Sequence, residues 1–290
     1  MGNEKKHTHF DCLLFDLDDT LYPFSLGIAE ACRQNIEEYM VDKLGIDKSI
    51  ATDLGQTLYR CHGTTMAGLR ATGYNFDYDD FHNYVHGRLP YDLLKPNPEL
   101  REMLLSMPQR KYVFTNADKN HASKALHRMG LEDCFDTVIC FETIMGHEGT
   151  DMIKKATGKD KRVGRQSLKM VESSTSVAVV CKPEANNTVA AIICKPSPEA
   201  MKRAVEIINV DAKRALFFDD SPRNIAAGKA VGLHTVLVRK LLSFHSGSRY
   251  LALDLSRALP QVGNVTKCEG ADYAIANIVD ARKEVPIIWD

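Results

Sequence analysis

Three carboxylates and a hydroxyl stand together in Asp16-Leu17-Asp18-Asp19-Thr20, directly after the apolar run Cys12-Leu13-Leu14-Phe15. Asp16 and Asp18 are two apart, so on extended backbone both side chains leave the chain on the same side. Carboxylates held that close repel one another unless a cation lies between them or one takes a proton. The spacing therefore asks for a divalent metal beside a carboxylate able to attack or to move a proton. Asp and Thr also favour turns and helix caps, so the run alone also reads as a strand leading into an acidic turn. Three later stretches favour the chemical reading. Lys111-Tyr112-Val113-Phe114-Thr115-Asn116 is an apolar strand ending in a hydroxyl, Lys195 stands just before a helix start at Ser197-Pro198-Glu199, and Leu216-Phe217-Phe218 runs into Asp219 and Asp220.

The elements that must position these residues are strands buried on both faces, which carry ligands at their carboxyl ends in open α/β sheets. From 90 onward strand and helix alternate, the pattern of a parallel sheet covered by helices. Leu100, Met103, Leu104 and Met107 mark one helix face, a helix over about 120–129 is closed by Gly130, Thr137 to Cys140 and Thr235 to Val238 read as strands, and Ala271 to Ile275 as a late edge strand. Between 24 and 89 the texture is helical instead. Ile28, Cys32, Ile36, Tyr39 and Met40, then Ile50, Leu54, Leu58 and Cys61, recur at helical spacing. An insertion leaving the core just after the acid-bearing strand should sit over the site as a cap. The expected fold class is α/β: a Rossmann-like parallel sheet core (10–23 and 90–290) with an inserted helical cap domain (24–89) and a surface insertion over 146–190. In the cap, Arg60 and Arg70 are candidate substrate contacts. His82 and His86 are four apart on a helix and have the spacing of metal ligands, but no third ligand stands near them in sequence.

The chain has 290 residues, 44% of them apolar, enough for a large domain with an inserted one. Lys plus Arg number 37 against 38 for Asp plus Glu, so no global field favours nucleic acid or an anionic membrane, and a small substrate is expected. No apolar run reaches spanning length, and Met1-Gly2-Asn3-Glu4-Lys5-Lys6 is too polar for a signal peptide, which points to the cytoplasm. Eight cysteines are scattered with no CxxC pair; Cys12, Cys134, Cys140, Cys181 and Cys194 sit in or beside apolar runs as small hydrophobes.

Taken in order, a strand ending DxDxT, a strand ending in Thr, a lysine and a strand ending in paired acids, the chain resembles the haloacid dehalogenase-like hydrolase superfamily. The resemblance implies Asp16 as the nucleophile that becomes an aspartyl-phosphate and Asp18 as the acid and base, with its pKa raised by its neighbours. It further implies Thr115, Asn116 and Lys195 on the phosphoryl group, and Mg2+ held by Asp16, the carbonyl of Asp18 and Asp220. Asp219 and Asn224 would act behind them through water. Asp19 is expected to face away. The acid at 18 sets the chain apart from dehalogenases, whose halide leaves without a proton. The stretches 16–23 and 217–225 look most like the pyrimidine 5′-nucleotidase branch of fungi and plants, which implies a nucleoside monophosphate such as UMP or CMP as substrate. Other readings are a phosphatase of a sugar phosphate or phosphorylated vitamin, a phosphomutase, or a non-catalytic scaffold. The long stretch between Cys140 and Lys195 departs from the usual pattern.

Val180-Cys181-Lys182-Pro183 and Ile193-Cys194-Lys195-Pro196 are near-copies. Only the second precedes a helix, which Ser197 caps with Pro198 at its first position and Ala200, Ala204, Val205 and Ile208 as its apolar face. After Lys182, 189–194 reads as a strand. Lys195 is therefore expected in the site and Lys182 on the surface.

Overall fold

The computed structural model describes residues 9–146, 191–239 and 268–290. Six strands form one sheet: β1 (Cys12–Phe15), β2 (Arg110–Phe114), β3 (Thr137–Ile139), β4 (Ala215–Asp219), β5 (His234–Val238) and β6 (Tyr273–Ile275). Their order is β3-β2-β1-β4-β5-β6 and every neighbouring pair is parallel. All four residues of β1 are fully buried. Leu13 and Phe15 join one core cluster with Val113, Leu216 and Phe218, while Cys12 and Leu14 join another with Phe114 and Phe217. That is period-two alternation with both faces covered, which is why β1 reads as a continuous apolar run. Phe15 stacks on Phe218 with ring centroids 4.6 Å apart.

Parallel strands need crossover helices. Helix α5 (Pro98–Ser106) precedes β2, α6 (Lys119–Met129) links β2 to β3, α7 (Pro198–Ile208) precedes β4, and α8 (Pro222–Ala230) links β4 to β5. Gly130 takes φ 66 and ends α6 in the left-handed conformation, as its position after the apolar pattern predicts. Ser197 caps α7 by accepting from Glu199 N, and Ala200, Met201, Ala204 and Ile208 are its buried face. Residues 191–194, expected as the end of a strand, have no regular secondary structure. The region 147–190, with Cys181, Lys182 and most of the expected insertion, lies outside the described residues, whereas Cys12, Cys134, Cys140 and Cys194 are buried free thiols.

Between β1 and α5 the chain makes four α-helices: α1 (Ile28–Asp42), α2 (Lys48–His62), α3 (Thr65–Ala71) and α4 (Tyr78–Val85). Asp47, Thr64 and Asp77 cap the last three through their side chains, which fixes where each begins. The helices share an apolar cluster of Tyr39, Met40, Leu54, Leu58, Phe76 and Phe81, separate from the two sheet clusters. At the α2–α3 turn this layer meets the sheet domain. Gly63 has φ +89, and a Cβ there would stand 2.5 Å from the Lys195 carbonyl oxygen and 2.9 Å from Pro196 Cδ. Cys194 Sγ also donates to His62 O at 3.5 Å. Among the described residues no helix is long and apolar enough to cross a membrane.

Candidate active site

In this strand order the connections leave β1 and β4 toward opposite sides, which opens a crevice at their carboxyl ends. Asp16 follows β1 and Asp219 ends β4. Asp16 N donates to Phe218 O at 2.8 Å, so the ladder runs one step past β1 and brings the two carboxylates side by side. Lys195 reaches them from the turn before α7. Its Nζ donates to Asp16 Oδ1 at 2.6 Å, to Asp219 Oδ2 at 2.9 Å and to Phe114 O at 2.8 Å, which uses all three ammonium protons. Expected on a phosphoryl group, Lys195 here neutralises carboxylates. Asn116, also expected on phosphate, gives its side chain to the lysine's backbone: Lys195 N donates to Asn116 Oδ1 at 2.8 Å and Asn116 Nδ2 donates to Lys195 O at 3.0 Å. A planar amide used in both directions holds that turn rigid.

Asp219 is fully buried and saturated. Beyond Lys195 it accepts from Ser221 N at 2.8 Å and from Asn224 Nδ2 at 2.9 Å. Asn224 therefore holds Asp219 by direct contact. Asp16, Asp219 and Asp220 each offer a carboxylate oxygen within 4.8 Å of the others. Burial pushes Asp16 up to about 8, with Lys195 only partly opposing it, and burial together with Asp219 and Asp16 lifts Asp220 well above the carboxylate range. Three crowded carboxyls facing one ammonium hold on to protons that a hard divalent cation would displace. The all-oxygen donor set fits such an ion.

Asp18 lies across the crevice mouth. It accepts from Tyr22 Oη at 2.5 Å, pairs with His121 Nε2 at 2.7 Å and accepts from Thr115 Oγ1 at 3.4 Å. Thr115 Oγ1 in turn accepts from Ala117 N at 3.0 Å, which leaves its hydroxyl proton for the site. Burial pushes the Asp18 carboxyl up, but the His121 imidazole and the hydrogen bonds from His121 and Tyr22 outweigh it and hold Asp18 well below the usual range. This corrects the expectation of a raised pKa. Burial likewise pushes His121 down, and Asp18 more than reverses it, so the proton of the pair rests on the imidazole. Asp19, expected to face away, takes left-handed backbone (φ 62) and buries Oδ1 without a hydrogen-bond partner. Burial and the Asp18 charge push it up to about 7, and its own charge adds to those raising Asp220.

The two arginines separate. Arg60 is exposed in the last turn of α2. Arg70 is 6% exposed, donates from Nη1 to Tyr74 O at 3.1 Å and Asn75 Oδ1 at 2.7 Å, and lies over the Phe76 and Tyr78 rings. Its guanidinium closes the loop between α3 and α4.

A family model for haloacid dehalogenase-like hydrolases matches residues 10–180 and 156–232. The chain belongs to that family. Phosphate metabolism protein 8 of Saccharomyces cerevisiae is 30% identical over 132 residues, 43% of this hydrolase and 41% of the yeast protein, so the likeness spans about two fifths of that relative's length. The crystal structure of CbbY from Rhodobacter sphaeroides in complex with phosphate superposes with a TM-score of 0.51 at 16% identity, covering 94% of this hydrolase and 96% of that chain. L-2-haloacid dehalogenase from Xanthobacter autotrophicus gives a TM-score of 0.48 at 17% identity, covering 96% and 98%. At such identities the likeness to CbbY is one of fold.

Two residues of the hydrolase's site escaped the sequence reading, Tyr22 and His121. Tyr22 follows Asp18 by four residues and His121 stands in the first turn of α6, whose start faces the carboxyl ends of the strands. That placement was available as a signal. Their shared target was not, because Asp18 and His121 lie 103 positions apart.

Proposed function

We propose that this hydrolase is a Mg2+-dependent phosphomonoester phosphatase acting through an aspartyl-phosphate on Asp16, with pyrimidine nucleoside monophosphates as substrates. The observation carrying this reading is the arrangement of two differently placed carboxylates: Asp16 fixed by Lys195 beside Asp219 and Asp220, and Asp18 paired with His121. Pairs of acids whose surroundings push their pKa values apart are the mark of divided roles. Asp16 Oδ attacks phosphorus, an O–P bond forms and the ester O–P bond breaks. The leaving oxygen takes the proton held by the Asp18–His121 pair. Water then attacks the phosphoryl group, its O–P bond forming as the Asp16 O–P bond breaks, and gives a proton back to the Asp18–His121 pair, which restores Asp16 and the pair. Thr115 Oγ1 and Lys195 steady the phosphoryl oxygens as charge develops, Lys195 by exchanging part of its contact with Asp16 for the substrate.

Asp16, Asp220 and the backbone carbonyl of Asp18 would hold Mg2+, with Asp219 kept in place by Asn224. The bound ion supplies charge neutralisation for the phosphoryl group. Helices α1–α4 serve as the cap that excludes water, and exposed Arg60, three residues before Gly63, is its substrate contact. Support for the nucleotide comes from the likeness of 16–23 and 217–225 to the nucleotidase branch. In support of phosphate chemistry stands the name of the yeast relative.

The test is release of phosphate from an aryl phosphate with and without Mg2+, followed by kcat/KM over UMP, CMP, sugar phosphates and phosphorylated vitamins. Asp16→Asn should abolish turnover while keeping the fold. Residual activity of Asp16→Asn in a contaminant-free preparation would overturn covalent catalysis, and a preference for another phosphoester would replace the nucleotide.

A further inference from the structure

Behind Asp18 lies a second cluster of ligating groups. His82 and His86, four apart on α4 and at its end, present stacked rings with centroids 5.3 Å apart. His86 Nδ1 is 2.8 Å from Asp118 Oδ1, and Asp118 is the N-cap of α6, where Oδ1 also accepts from His121 N at 3.3 Å. One atom from each of His82, His86 and Asp118 lies within 4.8 Å of the other two. The sequence offered the histidine pair without a third ligand; the fold supplies it from another element.

An independent observation concerns His82 alone. It is 6% exposed, and neither Nδ1 nor Nε2 has a hydrogen-bond partner. A buried imidazole with both nitrogens unpaired gives up its hydration without replacement and calls for an occupant. Its ring packs on Phe141 with centroids 4.9 Å apart, which restrains its orientation.

We propose that His82, His86 and Asp118 form a second cation site, taking a zinc-class transition metal and fastening helix α4 to the start of α6. Two imidazoles and a carboxylate suit a borderline metal, whereas the oxygen-only set of Asp16, Asp219 and Asp220 suits magnesium. The two sites thus sort cations by ligand softness. Tetrahedral zinc bonds of about 2.0–2.2 Å place two ligand atoms about 3.3–3.6 Å apart, so ligand atoms that lie within 4.8 Å of one another draw together by up to roughly 1.5 Å through side-chain rotation to close the site. His86 Nδ1 and Asp118 Oδ1, 2.8 Å apart, are already inside that spacing. Two ligands belong to the helical layer and one to the sheet domain, so the metal is a tie between them. This inference stands whether or not the phosphatase reading does.

The test uses the full chain stripped by chelator and returned to excess Mg2+, which occupies the carboxylate site. Co2+ is titrated by its visible absorption and Zn2+ by calorimetry and thermal melts. One equivalent of either should bind, and Zn2+ should raise Tm. Asp118→Asn, which keeps an oxygen to cap α6, should weaken binding by about tenfold or more, as should His86→Gln, while Asp220→Asn leaves it unchanged. No uptake by the wild type in excess Mg2+, equal uptake by Asp118→Asn, or loss of uptake in Asp220→Asn would each overturn the site.

Discussion

A lysine whose three ammonium protons go to two buried carboxylates and a backbone carbonyl cannot be replaced without exposing the charges it holds. Lys195→Ala leaves Asp16 and Asp219 buried without a counter-ion, a loss of about 3–5 kcal/mol for a broken buried pair. The expected outcome is a lower urea midpoint together with a kcat reduced on the order of a hundredfold or more. Lys182→Ala, in the near-copy outside the described residues, should change neither; the reverse result in paired assays would transfer the role to Lys182. His82 gives a pH effect of known sign. Unfolded, it titrates near 6.5, whereas in the fold burial lowers it to about 4. Below 6.5 the unfolded chain binds a proton that the folded one refuses, so stability is full above that value and declines as pH falls through the folded pKa. The shift amounts to about 3 kcal/mol. In chelator-containing buffer, urea midpoints of the wild type should fall on acidification and those of His82→Phe should fall less; parallel curves would show that His82 is not the group.

At the scale of elements, the α2–α3 turn decides how the helical layer sits against Lys195. Gly63 has φ +89 with no room for a Cβ beside the Lys195 carbonyl, whereas Gly45 has φ +67 and open space around it. Gly45→Ala should therefore cost only about 1 kcal/mol, the price of a left-handed non-glycine residue. Gly63→Ala should add steric displacement of the Lys195 turn and lower kcat as well as Tm. Equal kcat in the two variants would mean that the turn does not position the lysine. The helices themselves were legible, because Tyr39, Met40, Leu54 and Leu58 repeat at helical spacing and become the layer's core. Ser197 and Pro198 likewise announced α7 and chose between the two lysines. Contacts between elements were not legible. Arg70, a candidate substrate contact in the sequence, is enclosed by Asn75, Phe76 and Tyr78, and Asp118 stood too far from His86 in sequence to be paired with it.

For the molecule as a whole, the sheet was the most legible feature, since a strand buried on both faces must be apolar at every position and so stands out of the sequence. The charges at its carboxyl edge were readable in kind, acids from β1 and β4 and a lysine near them, but neither the lysine's contact with the acids nor the direction of the pKa shift at Asp18 was. Its pKa depends on His121 and Tyr22, which only the closed fold brings to it. The same edge sets a whole-molecule prediction. Asp16 and the Asp219–Asp220 pair belong to two strands that meet only in the native sheet, so an ion bound by both recognises the folded state alone. Mg2+ should raise Tm with the logarithm of its concentration, adding about 2.7 kcal/mol at a hundred times its Kd, a rise of several degrees for a chain of this size. Asp220→Asn removes one of the three carboxylates of the cluster, so its metal-free Tm should equal or exceed that of the wild type while the response to Mg2+ is much reduced. Differential scanning calorimetry across a Mg2+ series reads both quantities, and an undiminished response in Asp220→Asn would place the stabilising ion away from the β1–β4 crevice.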